Sequence, residues 1–172
     1  MIFWIAVLVG AAFGILDWHI VDWINRMTSA ASSLSADKQT ILRMANYLVW
    51  LVPLLPTVFA AARQKTRPSA VGAIGSAVWG TAMLAYYGVY FGLMALGRMP
   101  GMQHLDIFNP STSEYHGQLS AQIAFNYAKG ELLQWLPIGL VGGFLIGFMM
   151  WLLVGKRKTA EETLPVDIST QG

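Results

Sequence analysis

The chain contains no cysteine. That excludes disulfides, thiolate metal sites and thiol redox chemistry. Charge is scarce as well. Asp, Glu, Lys and Arg make up 12% of the residues, against about 25% in ordinary soluble domains. No P-loop, nucleophile elbow, dinucleotide fingerprint or zincin motif is present. Gly-x-Gly matches fall inside apolar runs with no strand before them and carry no weight. Nothing reads as a soluble domain, a long linker or a low-complexity tract. The apolar start lacks a basic n-region and an Ala-x-Ala-like cleavage site, so it reads as a retained first span rather than a signal peptide.

What is present is apolar. Hydrophobic residues make up 55% of the chain and its mean hydropathy is +0.51. The formal net charge is +2. In a soluble protein that balance would suit nucleic acid. Here the cations flank apolar runs, so they report membrane topology, and nucleic acid is not an expected partner.

About 20 apolar residues cross the roughly 30 Å hydrocarbon core of a bilayer. The run 132–154 meets that length without a charge, between Glu131 and the cluster Lys156, Arg157, Lys158. Three further spans are read at about 1–24, 44–62 and 70–96. The expected fold is an all-α integral membrane protein, a four-transmembrane-helix bundle filling 1–158. A long outer loop joins spans three and four, and 159–172 is a short polar cytoplasmic tail.

Small residues recur within the spans. Gly139, Gly143 and Gly147 lie four apart, as do Gly10 and Gly14, Gly72, Ser76 and Gly80, and Gly88 and Gly92. Four-residue spacing puts each set on one helix face and lets a neighbouring backbone approach closely. Pro53 and Pro56 lie inside span two and predict a kink. Pro68 marks the start of span three. Ser111 and Glu114 fit a capping box that opens a surface helix running to Lys129. Gly130 is read as the hinge into span four.

Arg63, Lys65 and Arg67 crowd the link between spans two and three, and Lys156, Arg157 and Lys158 follow span four. An even number of spans puts both clusters on one side. The positive-inside rule makes that side, with both termini, cytoplasmic, in a bacterial-type inner membrane. Trp4 and Trp151 are assigned to one interface, and Trp18, Trp23 and Trp135 to the other.

Candidate chemistry is sparse. His19, Asp22 and Arg26 share a helix face near the end of span one. They suit a proton relay or a headgroup site, or, more simply, an interfacial ion-pair stripe. Asp17 points elsewhere, about 140° from Asp22, and lies deepest toward the hydrocarbon. His19 is alone among the histidines in a span, which argues against bis-His haem. Met99, Met102 and His104 in the outer loop offer a soft-metal set, or a turn dipping two apolar residues into the interface. Tyr86, Tyr87 and Tyr90 with Trp79 line a cavity or cap helix packing. No cofactor can be named.

The expected partners are lipid and other membrane subunits or a second copy. The first functional reading is a non-catalytic subunit or assembly partner of a larger membrane complex, packing through its small-residue faces. The second is a small transporter or channel component, on the interrupted span two, Pro137 and Asp17. The third is a redox or cofactor-binding protein using His19 and Asp22 or the outer loop. Catalysis has least support.

Overall fold

The computed structural model describes residues 1–29, 44, 47–64, 67–97 and 118–155. The described residues are helical, with no strand. The principal helices are α1 (Ile2–Ser29), α2 (Leu51–Arg63), α3 (Pro68–Ala95) and α4 (Gln118–Met150). A π-helical turn, Trp151–Gly155, closes α4. Three segments are long and apolar enough to cross a membrane: Ile2–Val21, Pro68–Ala95 and Phe125–Val154.

The second span departs from expectation. The apolar helical stretch Tyr47–Arg63 is shorter than the other three, and the chain makes a turn at Trp50 before α2 begins. At 1.5 Å per residue, the 13 residues of α2 rise only about 20 Å. The turn also changes the part played by the prolines. Pro53 falls in the first turn of α2, where a backbone N–H has no intrahelical acceptor to lose. Pro56 alone lies in the interior. Two side chains bond carbonyls of this segment: the Trp79 indole donates to the Trp50 carbonyl at 2.7 Å, and the Thr57 hydroxyl donates to the Pro53 carbonyl one turn back at 2.7 Å.

Helix α4 also differs. It runs 33 residues without interruption, so Gly130 is an ordinary helical position, not a hinge. A glycine inside a helix costs about 1 kcal/mol relative to alanine, which a long hydrogen-bonded helix absorbs. The capping box at Ser111 and Glu114 lies outside the described residues.

Helix α3 begins at Pro68, as its position predicts. Pro68 sits in the first turn after Arg67 in extended conformation. It ends at Ala95, and two residues on, Gly97, with φ of +70°, stands in the left-handed region. The Gly97 amide bonds the Met94 carbonyl at 3.0 Å, tightening the last turn.

Helix α3 is the hub. It packs extensively against α1 and against α4, and α2 lies against α3, α4 and α1. Ala6, Leu54, Val58, Ala61, Val71, Ile74 and Val78 form the larger buried cluster. Glycine lets the backbones meet. A Cβ on Gly143 would strike the Gly75 carbonyl, and one on Gly75 would strike the Gly143 carbonyl. Gly147 lies on the Val71 carbonyl, Gly10 on Val78 and Thr81, and Gly14 on the Ala82 carbonyl. The Ser76 hydroxyl reaches across to the Leu140 carbonyl at 2.7 Å.

Other glycines meet side chains. A Cβ on Gly72 would touch the Phe144 ring at 2.7 Å, one on Gly80 the Leu140 methyl at 2.7 Å, and one on Gly139 the Met83 terminus at 2.6 Å. Gly88 and Gly92 differ from all of these, because a Cβ on either meets no described atom within 4 Å. Four-residue spacing aligns two glycines on a face without deciding that a helix covers it.

These contacts predict a graded response to added bulk. Gly143→Ile forces α3 and α4 apart at a backbone contact and should cost about 1–3 kcal/mol. Gly142→Ile meets a side chain in place of a carbonyl, the Trp79 ring edge at 2.8 Å, and should cost less than the backbone collision, though moving that ring strains the Trp79–Trp50 hydrogen bond. Gly88→Ala should be neutral or gain up to about 1 kcal/mol of helix propensity. Thermal unfolding of the three variants in one detergent checks the order. Equal, negligible effects would remove glycine packing as the basis of the fold.

Candidate functional site

The polar group held deepest in the structure is Asp17. It retains 1% of its accessible surface and is the one ionisable acid or base buried among the described residues. An acid in a span costs about 2.5–3.5 kcal/mol at a helix centre, so its surroundings matter. The carboxyl accepts a hydrogen bond from the Trp50 side chain, whose single donor is the indole N–H. Its Oδ1 has no hydrogen-bond partner among the described residues.

Three parts of the chain bring this group together. Asp17 comes from α1 and Trp50 from the turn before α2. Tyr86 of α3 lies within electrostatic range of Asp17 and Glu131. Trp50 packs between aromatic rings, 5.5 Å from Phe13 in an edge contact and 6.4 Å from Tyr86. Tyr87 lies 5.2 Å from Tyr86. The Trp50 carbonyl is held at the same time by Trp79. The turn that shortens α2 therefore aims an indole at the acid and anchors its own backbone on the hub helix.

A second aromatic cluster adjoins the first along α3. Trp18, Tyr90 and Ala128 are buried together, with Trp18 6.4 Å from Tyr90. Trp18 is thus buried in the bundle, with its ring turned toward α3. Trp4 is 67% exposed, whereas Trp135 donates to Glu131 at 2.8 Å and lies beside Tyr47. The Trp23 side chain is outside the described residues.

Of the tyrosines expected to line a cavity, Tyr90 is buried with Trp18, and Tyr86 and Tyr87 pack against that cluster; Trp79 turns to Trp50 and Gly142.

Of the polar stripe His19, Asp22 and Arg26, only the His19 side chain is among the described residues. His19 is exposed, with its ring 5.0 Å from Trp18. Asp22 and Arg26 continue the same helix, but their side chains lie outside the described residues. Met99, Met102 and His104 are also outside them. Among the described residues no group of three or more His, Cys, Asp or Glu could hold a metal ion.

Sequence reasoning singled out Asp17 and missed Trp50, its partner. The signal that pointed there was indirect: Pro53 and Pro56 announce an interrupted helix, and the turn at Trp50 is that interruption. Set against known protein families, curated proteins and solved structures, the chain matches none.

The Asp17–Trp50 pair predicts a non-additive mutant cycle. Trp50→Phe keeps the ring but strips the donor from a buried acceptor, and should cost about 1.5–3 kcal/mol. In an Asp17→Leu background the same change should cost far less, because no acceptor remains. Thermal stabilities of both singles and the double measure the coupling. Strictly additive losses would show that the bond contributes nothing.

Proposed function

We propose that this chain is a four-span integral membrane protein that serves as a small transport or channel component, binding and releasing a cation at Asp17. One observation carries the reading: a fully buried carboxyl within a span, with one oxygen committed to Trp50 and Oδ1 open among the described residues. An ionisable group inside a span is costly, and its usual justification is a pathway for charge. The interrupted helix beside it strengthens the reading, since broken helices frame binding sites in transporters.

Four crossings require the stretch Tyr47–Arg63 to reach both surfaces. Its 17 residues rise about 25 Å, and local bilayer thinning or snorkelling closes the remaining gap. Arg63 anchors one end, with its guanidinium 5.5 Å from the Phe59 ring. On this topology the two basic clusters, Arg63 to Arg67 and Lys156 to Lys158, lie together in the cytoplasm of a bacterial-type inner membrane.

A second reading, a non-catalytic subunit of a larger complex, is favoured by Gly88 and Gly92. They form an exposed small-residue pair on α3 with no described atom over it. A protein retained at fixed stoichiometry after mild-detergent purification, and released by Gly92→Ile, is the outcome that reading expects.

Topology is tested first. The natural chain has no cysteine, so Ser113→Cys and Thr159→Cys give clean single labels. An impermeant maleimide outside intact cells should label position 113 and spare 159; the reverse pattern overturns the assignment. Transport is tested in vesicles holding this protein alone, with protons, Na⁺ or a quaternary ammonium as sole permeant cation and a potential-sensitive dye as readout. Wild-type protein should carry at least one of them, and Asp17→Asn should abolish the signal at unchanged thermal stability. Wild-type vesicles that match empty ones, or an Asp17→Asn variant that conducts like wild type, would refute the reading.

A further inference from the structure

We infer that Asp17 is a proton site: the cation it takes is H⁺, held on Oδ1 as a neutral carboxylic acid. The inference deepens the transport reading, on which it rests, by naming what that site carries.

Size comes first. Asp17 keeps 1% of its accessible surface, and Oδ1 is buried with no hydrogen-bond partner among the described residues. A metal ion or an ammonium reaching Oδ1 would have to displace the side chains that cover it. Hard metal ions also need several oxygen ligands at once, and no described group of three or more His, Cys, Asp or Glu supplies them. A proton needs neither a cavity nor a coordination shell. It adds a hydrogen to an oxygen already in place.

Hydrogen bonding agrees. A carboxylate only accepts, at about four lone-pair sites, whereas the neutral acid has an O–H and fewer acceptor sites. Trp50 supplies the one described donor. A single donor suits the carbonyl oxygen of a neutral acid and leaves Oδ1 to carry the proton. An unbonded O–H forfeits one hydrogen bond, but an unpaired buried carboxylate forfeits far more.

The groups around the carboxyl do not replace a cation. No described Lys, Arg or His pairs with it. Trp50, at the turn before α2, is uncharged. Tyr86 of α3 lies within electrostatic range of Asp17, and Glu131 of α4 within range of Tyr86; both are negative when ionised. On α1 itself His19 is exposed and about 200° around the helix from Asp17. Gain and loss of a proton therefore switch the charge at this depth with no change of bulk.

The test is infrared difference spectroscopy of the detergent-purified full chain near neutral pH, wild type against Asp17→Asn. A carboxylic-acid C=O band that shifts in D₂O is expected in the wild type, absent from Asp17→Asn and restored in Asp17→Glu. Thermal unfolding run alongside confirms that each variant is folded. Vesicles holding the protein alone, with a pH-sensitive dye inside and a K⁺ diffusion potential, should take up protons. Asp17→Asn should fall to the level of empty vesicles, and Asp17→Glu should retain uptake. Carboxylate bands at Asp17 in place of the acid band, or an acid band unchanged in Asp17→Asn, overturn the inference. If Asp17 is ionised while Asp17-dependent Na⁺ movement is seen, the proton site falls and the transport reading stands. If the acid band is present and no cation moves, the proton site stands and the transport reading falls.

Discussion

The contact on which the bundle depends is backbone against backbone. Gly143 and Gly75 face each other so closely that a Cβ on either would occupy the other's carbonyl oxygen. The hydrogen standing in place of Cβ therefore points at that oxygen. Such Cα–H···O contacts are individually weak, about 0.5–1 kcal/mol. Three of the helices are long and apolar enough to cross a membrane, and for helices in lipid apolar side chains gain little by leaving it for each other, so close packing supplies the attraction. Helix α3 receives glycines from two directions, Gly143 and Gly147 from α4 and Gly10 and Gly14 from α1. Remove that closeness and α3 loses its hold on both neighbours.

The same closeness builds the site. Gly14 rests on the Ala82 carbonyl. Asp17 is three residues beyond Gly14 on α1, and Tyr86 four beyond Ala82 on α3, one turn along each helix. The approach of the two backbones at Gly14 thus sets the reach between the acid and the tyrosine one turn away. Trp50 completes the group from the third side, at the turn just before α2. Packing and chemistry rest on one device, so substitutions at Gly14 act on stability and on Asp17 together.

Much of this was legible in the sequence, for reasons that mark where legibility ends. Apolar runs and their lengths reveal helices, and four-residue glycine spacing reveals shared faces. Neither says which face has a neighbour. Gly139, Gly143 and Gly147 all meet α3, while Gly88 and Gly92, spaced alike, meet no described atom. Pro53 reads as a kink when the helix is assumed to begin earlier. It becomes a first-turn residue once the break at Trp50 is known, and that break is held by Trp79, a group 29 residues away. Trp18 has the composition of a belt residue, and only the position of α3 beside it makes it buried. Asp17 was distinguishable from His19 by helical direction, two residues being about 200° apart. Its partner was not, because Trp50 reaches it through tertiary structure.

The manner in which polar side chains are used across the bundle argues for what Asp17 does. The Ser76 hydroxyl goes to the Leu140 carbonyl, Thr57 to Pro53, Thr81 to Ala77 and Val78, and the Trp79 indole to Trp50. Each satisfies backbone or steadies a break, and each carries no net charge. Asp17 does neither. Its carboxyl is deeper than any of them, and Oδ1 stays open among the described residues. An apolar residue at that position would remove the desolvation cost, and in buried sites such exchanges are often neutral or stabilising. On the proposed reading a cation accounts for such an acid: it satisfies Oδ1 and cancels the charge when it arrives, and restores the desolvation cost when it leaves.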